Sequence, residues 1–171
     1  MTDAPAGHLL LIGDREPLVW VLTEQRMAFP AHRESEARRL APGDLLLIYT
    51  TRGCFHNPTR DRGRVVGEAT VARAIEPLDE PVVFGAREYP IGCRLDVTGL
   101  TPWPQGVELA PLVPDLAVFP DPATWSARMP RTVMPLPAGD VARLRAELAP
   151  LLLARERALP SYMATLPSVA A

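Results

Sequence analysis

Residues 27–67 read MAFPAHRESEARRLAPGDLLLIYTTRGCFHNPTRDRGRVVG, and this stretch sets the expected fold. Glu34 to Leu40, rich in Arg and Glu, reads as a short helix broken by Pro42-Gly43. Leu45 to Tyr49 follows at once and is apolar on both faces, the mark of a central strand covered on both sides. Residues 51–63 carry Gly53, Asn57-Pro58 and Asp61 to Gly63, so they form a turn-rich loop. A second strand opens at Arg64 or Val65 and runs to about Ile75, with Gly67 signalling a bulge or a close backbone approach. The strand end therefore delivers Tyr49, Thr50 and Thr51 to the mouth of a basic loop. That pattern suits recognition more than reaction.

Working outward, His8 to Ile12 is a first strand, and Asp14 caps a helix from Arg15 to about Arg26. Phe29-Pro30 ends that helix, because the residue before proline resists the helical region. Pro77 to Gly85 reads as a connection and Arg87 to Gly99 as another strand. Residues 101–122 are rich in proline, yet Leu, Val and Phe keep recurring. They are expected to be a packed connection with short helical turns, not a disordered linker. Thr124 to Arg128 is one helical turn and Arg131 to Leu136 a closing strand. Val141, Leu144, Leu148 and Leu152 then mark an amphipathic helix. Regular crossover helices are missing between Leu45 and Gly99, which argues against a doubly wound parallel sheet. The expected class is α+β, a small mixed β-barrel carrying helices.

The 171 residues suit one domain, expected over 1–158, with a disordered tail over 159–171. No apolar run approaches the roughly 20 residues that span a bilayer. The N-terminal apolar run lacks a basic flank, so a cytoplasmic protein with no membrane partner is expected. Net charge is −2, which argues against a wholly basic coat, but Arg52, Arg60, Arg62 and Arg64 crowd one loop. All 18 basic residues are arginine. The absence of lysine excludes lysine Schiff bases, P-loop lysines and lysine general bases.

Cys54 and Cys93 show no zinc spacing, so two reduced thiols, no metal and no cofactor are expected. Cys54, His56 and Asp61 share one loop, whereas triad members converge from distant segments. Catalysis is not expected there. Trp20 and Trp103 read as packing residues, and Glu68 as an outward strand charge.

The order of motifs carries a family resemblance. A first strand ends in a polar turn and leads into a helix. Phe29-Pro30 with His32 follows, then Pro42-Gly43-Asp44, Val65-Val66-Gly67, Tyr89-Pro90, Pro111-Leu112, Asp115-Leu116 and Trp125-Ser126. Over about residues 8–150 the chain resembles the EVE domain family, within the PUA-like superfamily that includes the YTH readers of methylated RNA. The resemblance implies a PUA-like pseudo-barrel surrounded by helices, with a pocket for a flipped-out modified base of DNA or RNA. It implies pocket walls from Phe29, Pro30, Tyr49, Thr50, Thr51, Trp125 and Ser126. His32, Arg52, Arg60, Arg62 and Arg64 would meet phosphates. Many family members have Trp-Gly where this chain has Met27-Ala28, so one aromatic wall is either absent or replaced by Phe29. The resemblance thus implies a non-catalytic reader of methylated or hydroxymethylated bases; the oligomeric state is open, with a monomer favoured. Two alternatives stand beside it. One is a small-molecule-binding protein or hydrolase on the same barrel, disfavoured because related hydrolases use a lysine. The other is an accessory protein that binds a partner through residues 101–122.

Overall fold

The computed structural model of the protein describes residues 5–130 and 132–168. Arg131, expected to open the last strand, and residues 169–171 of the expected tail lie outside them. Strands β1 (Gly7–Ile12) and β3 (Leu45–Thr50) run parallel, with Gly7 opposite Leu45 and Ile12 opposite Thr50. Both strands are apolar on both faces, and the two-residue period splits them cleanly. Leu10, Ile12, Leu46 and Ile48 enter one hydrophobic core, whereas Leu9, Leu11, Leu47 and Tyr49 enter a second.

Around this pair lie β2 (Arg26–Phe29), β4 (Arg64–Val71), β6 (Arg87–Leu100) and β8 (Val133–Leu136), in the order β2-β6-β4-β3-β1-β8. β5 (Glu76–Phe84) pairs with β6, and β7 (Val107–Glu108) with β4. The sheet is strongly curled into a half-barrel, so the architecture is the expected α+β pseudo-barrel. The register slips beside Gly67: Ile48 faces Gly67 but Tyr49 faces Val65, leaving Val66 as the bulged residue.

Helix α1 (Arg15–Glu24) covers the first core, and α2 (Glu34–Ala37) adds Ala37 to it. The second core is covered by the proline-rich segment and by α3 (Ala138–Leu148). Leu109, Val113, Leu116 and Phe119 are all buried there, as expected of a packed connection. Asp140, 4% exposed, fastens that segment by accepting the backbone N–H groups of Ala117 and Val118 at 2.9 and 2.8 Å. Glu68, opposite Leu47 on β3, is not the outward charge expected: its side chain is largely covered and pairs with Arg145 of α3 at 3.0 Å. No helix among the described residues is long and apolar enough to cross a membrane.

Three further expectations are corrected. Helix α1 stops at Glu24, before Phe29-Pro30, because Gln25 adopts a left-handed conformation at φ 52°. Its side-chain oxygen accepts the Val97 N–H at 3.0 Å, and its carbonyl accepts that of Leu95 at 2.9 Å. These long-range bonds turn residues 26–29 into a strand on β6. Residues 77–84, read as a connection, belong to β5. The tail expected from 159 instead continues α4 (Arg155–Met163). Tyr162 of that helix is fully buried and donates its hydroxyl to the Thr101 carbonyl at 2.8 Å.

Close approach of β2 to β6 depends on Gly92, where an added Cβ would lie 2.1 Å from the Met27 carbonyl oxygen. Gly92→Ala is expected to destabilise the protein by about 1–3 kcal/mol, the usual cost of overpacking. Gly139→Ala, in α3 with nothing within 4 Å, should be neutral or stabilising by up to about 1 kcal/mol. Urea midpoints of the two variants check this, and equal midpoints would refute it.

Candidate nucleic-acid interface

Parallel strands cannot be joined by a tight hairpin. β1 and β3 therefore release the chain at the same end, β1 into α1 and β3 into the basic loop. Between these exits lies a cleft of ≈ 1130 Å³. Gly13 and Asp14 after β1, and Thr51 and Arg52 after β3, line it.

Tyr49 and Trp125 form part of its wall. Tyr49 is 5% exposed, and its hydroxyl occupies the space that Gly63 leaves open; a Cβ at 63 would lie 1.8 Å from it. Burial pushes the Tyr49 phenol pKa up, so the group stays protonated and can donate. Trp125 sits half-buried on the 3-10 segment Pro122–Arg128. Asp121 caps that segment, accepting the Ala123 N–H at 3.1 Å and the Thr124 hydroxyl at 3.0 Å. The Trp125 ring meets Phe119 edge-on, with centroids 5.7 Å apart at 73°. Such a pair holds the indole in place without covering both of its faces.

The other expected pocket residues divide. Pro30, Thr51 and Ser126 line the cleft. Phe29 touches it but is only 1% exposed, so it forms floor and core and presents no open face. Thr50 is corrected: it is 2% exposed and faces a separate cavity of ≈ 10 Å³ beside Trp103. The strand's alternation turns it away from Tyr49 and Thr51.

Among the expected phosphate contacts, His32, Arg52 and Arg62 line the cleft. Arg60 is exposed on the loop but outside the lining. Arg64 is engaged elsewhere, 3.6 Å from Glu108 and donating to the Pro104 carbonyl. Within the described residues, Arg52 and Arg62 have no carboxylate partner, so their charge is available to a ligand.

Sequence reasoning missed the opposite wall. Trp20 of α1, Phe84 at the end of β5 and Tyr89 of β6 all line the cleft. Trp20 and Phe84 meet edge-on at 5.8 Å, Phe84 and Tyr89 at 5.6 Å. Arg87, in the hairpin between them, also lines the cleft and has no carboxylate partner among the described residues. The signal was the two-residue turn Gly85-Ala86 between VVF and REY, a Gly-X hairpin pattern.

Cys54, His56 and Asp61 do not assemble for nucleophilic chemistry. Cys54 is fully buried, and its thiol pKa is pushed up to about 12, mainly by burial and then by Asp14 and Asp61. The His56 ring nitrogen lies 3.3 Å from Asp14, the cap of α1. Cys93 is also free and buried. No three His, Cys, Asp or Glu side chains gather as a metal requires, among the described residues.

One carboxylate ties two cleft walls together. Glu36 accepts from Arg33 at 2.7 Å through one oxygen and from the Thr132 hydroxyl at 2.6 Å through the other. Arg33 and Thr132 both line the cleft.

No family model and no curated protein matches the sequence. Solved structures share the fold at low identity. A hypothetical protein from Leishmania major is 15% identical, with 86% of this chain and 96% of that one covered and a TM-score of 0.56. Human THYN1 protein, in complex with 5-methylcytosine-containing DNA, is 10% identical over 83% and 96%, with a TM-score of 0.53. The YTH domain of Zygosaccharomyces rouxii MRB1 protein, in complex with N6-methyladenosine RNA, is 16% identical over 86% and 90%, with a TM-score of 0.52. The protein shares its fold with human THYN1 protein and with this YTH domain.

The Glu36 clamp carries a pH prediction. The Thr132 hydrogen bond, the largest cause, and Arg33 hold the Glu36 pKa below its ordinary 4.5. A depressed folded-state pKa contributes stability that is present above the unfolded value and lost as pH falls through the folded one. Glu36→Gln should therefore lower the urea midpoint at pH 7, and the gap from the parent should close in acid below the depressed value. A gap of equal size at both pH values would sink this account.

Proposed function

We propose that this protein is a non-catalytic nucleic-acid-binding module of the EVE type, and that it reads a methylated or hydroxymethylated base in the cleft at the ends of β1 and β3. The observation that carries the reading is the pairing of Trp125 and Tyr49 with unpartnered Arg52 and Arg62 along one opening. A base leaving its stack loses a few kcal/mol, which a binding site must return. An indole face returns roughly 1–3 kcal/mol. The protonated Tyr49 hydroxyl supplies an edge donor, and arginines at the rim hold phosphates without reading sequence. Support also comes from two proteins of the same fold, one bound to 5-methylcytosine-containing DNA and one to N6-methyladenosine RNA. The inert, buried Cys54 thiol favours binding over covalent chemistry.

Fluorescence titration with short oligonucleotides, each carrying one unmodified, methylated or hydroxymethylated cytosine or adenine, tests the reading. One modified oligonucleotide should bind more tightly than its unmodified partner. Trp125→Ala should weaken that binding by roughly 1–3 kcal/mol and remove the preference. Equal binding of all oligonucleotides by the parent protein would end the proposal.

Arg52→Ala with Arg62→Ala should weaken every oligonucleotide alike and leave the preference intact. The salt slope should become shallower by about one for each phosphate no longer neutralised. An unchanged slope would mean that these arginines do not meet phosphates.

A further inference from the structure

The cleft has two aromatic stations, and they belong to different halves of the molecule. Trp125 packs against the core that holds Leu9, Leu11, Leu47 and Tyr49. Trp20 packs against the core that holds Leu10, Ile12, Leu46 and Ile48. The two tryptophans thus lie on opposite faces of the β1–β3 layer, and the cleft passes across the strand ends between them. A planar base occupies one stacking layer and cannot face both rings at once. The volume points the same way. At ≈ 1130 Å³ the cleft exceeds the roughly 300–1,000 Å³ of ordinary small-ligand sites, so it has room beyond one base.

The second station has its own geometry. Trp20 and Phe84 are inclined at 78°, and Phe84 and Tyr89 at 67°. In an edge-to-face pair the edge of one ring rests on one face of the other, so the rings form a corner instead of a closed stack. The Arg26 guanidinium lies 5.7 Å from the Trp20 ring centre and backs it from β2. Trp20, Phe84 and Tyr89 are all only half-buried, although large aromatics in a finished core are covered. Arg87 stands beside the corner on the exposed hairpin turn.

We propose that the cleft takes two nucleotides of one strand. The modified base lies against Trp125 and Tyr49, a neighbouring base enters the Trp20–Phe84–Tyr89 corner, and Arg87 meets that neighbour's phosphate. This rests on the base-reader function above. It assigns a single-stranded segment as the preferred ligand, because a duplex would have to unstack two positions instead of one, at a few kcal/mol each.

The test uses fluorescein-labelled single-stranded hexanucleotides with one cytosine or adenine, unmodified, methylated or hydroxymethylated, followed by anisotropy. Each has three versions: intact, abasic on the 5′ side of the modified base, and abasic on the 3′ side. One abasic position should weaken binding by about 5- to 150-fold. Trp20→Ala should produce the same loss with the intact strand and no further loss with that abasic strand. Trp125→Ala should remove discrimination of the modified base while the abasic effect persists. Tyr89→Ala, on the exposed hairpin, repeats the comparison should Trp20→Ala unfold. An intact preference for the modified base with no effect of either abasic site overturns the second station alone. An abasic loss that persists in full in folded Trp20→Ala and Tyr89→Ala also overturns it. Absence of any preference for a modified base overturns the base-reader function, and the second station with it.

Discussion

The parallel pairing of β1 with β3 is the constraint on which the rest of the structure depends. Each strand is apolar at every position from 9 to 12 and from 45 to 49, so neither can lie at a surface. Burying both faces requires two separate cores, and those cores dictate where α1, the proline-rich segment and α3 must sit. Parallel pairing adds a second consequence. Both chain exits lie at one end, and no hairpin closes the gap between them. The cleft is therefore a product of topology before any side chain is considered.

Its walls are held by partly buried polar contacts in and around the opening. Asp140 anchors the segment that leads to Phe119, and Phe119 supports Trp125. Gly63 admits the Tyr49 hydroxyl, and Glu36 ties Arg33 to Thr132. Binding residues on short connections gain precision when such contacts fix them. A comparable buried contact lies at the other end of β1, where His8 and Asp44 meet at 3.0 Å. There Asp44 also accepts the backbone N–H groups of Ala6 and Ala41 and secures the Pro42-Gly43-Asp44 turn. The start of the parallel pair is thereby pinned, and its far end is left to open.

Several residues that line the cleft were legible in the sequence for physical reasons. Tyr49 and Thr51 stand at the end of a strand whose period is unmistakable, and Arg52 and Arg62 belong to the loop that must follow it. Thr50 was misplaced because it lies one alternation step from the cleft, and alternation alone does not reveal which face the cleft is on. Arg64 was indistinguishable from Arg62 in sequence, yet Glu108 and the Pro104 carbonyl occupy it. Phe84 and Tyr89 escaped notice because residues 77–85, one arm of the β5–β6 hairpin, read as a connection in the sequence, and Trp20 because only the tertiary fold brings α1 against that hairpin.

The sequence by itself determined the doubly buried strands, the packed proline-rich connection, the α+β class and the basic loop at a strand end. Each follows from local periodicity and turn chemistry, which act over a few residues. Only the tertiary structure decided that Gln25 ends α1, that Tyr162 is buried rather than part of a tail, and that two aromatic stations share one cleft. Those outcomes rest on contacts between residues separated by dozens of positions, such as Gln25 with Val97 and Tyr162 with Thr101. Their energies exist only once the chain has folded and excluded water from them.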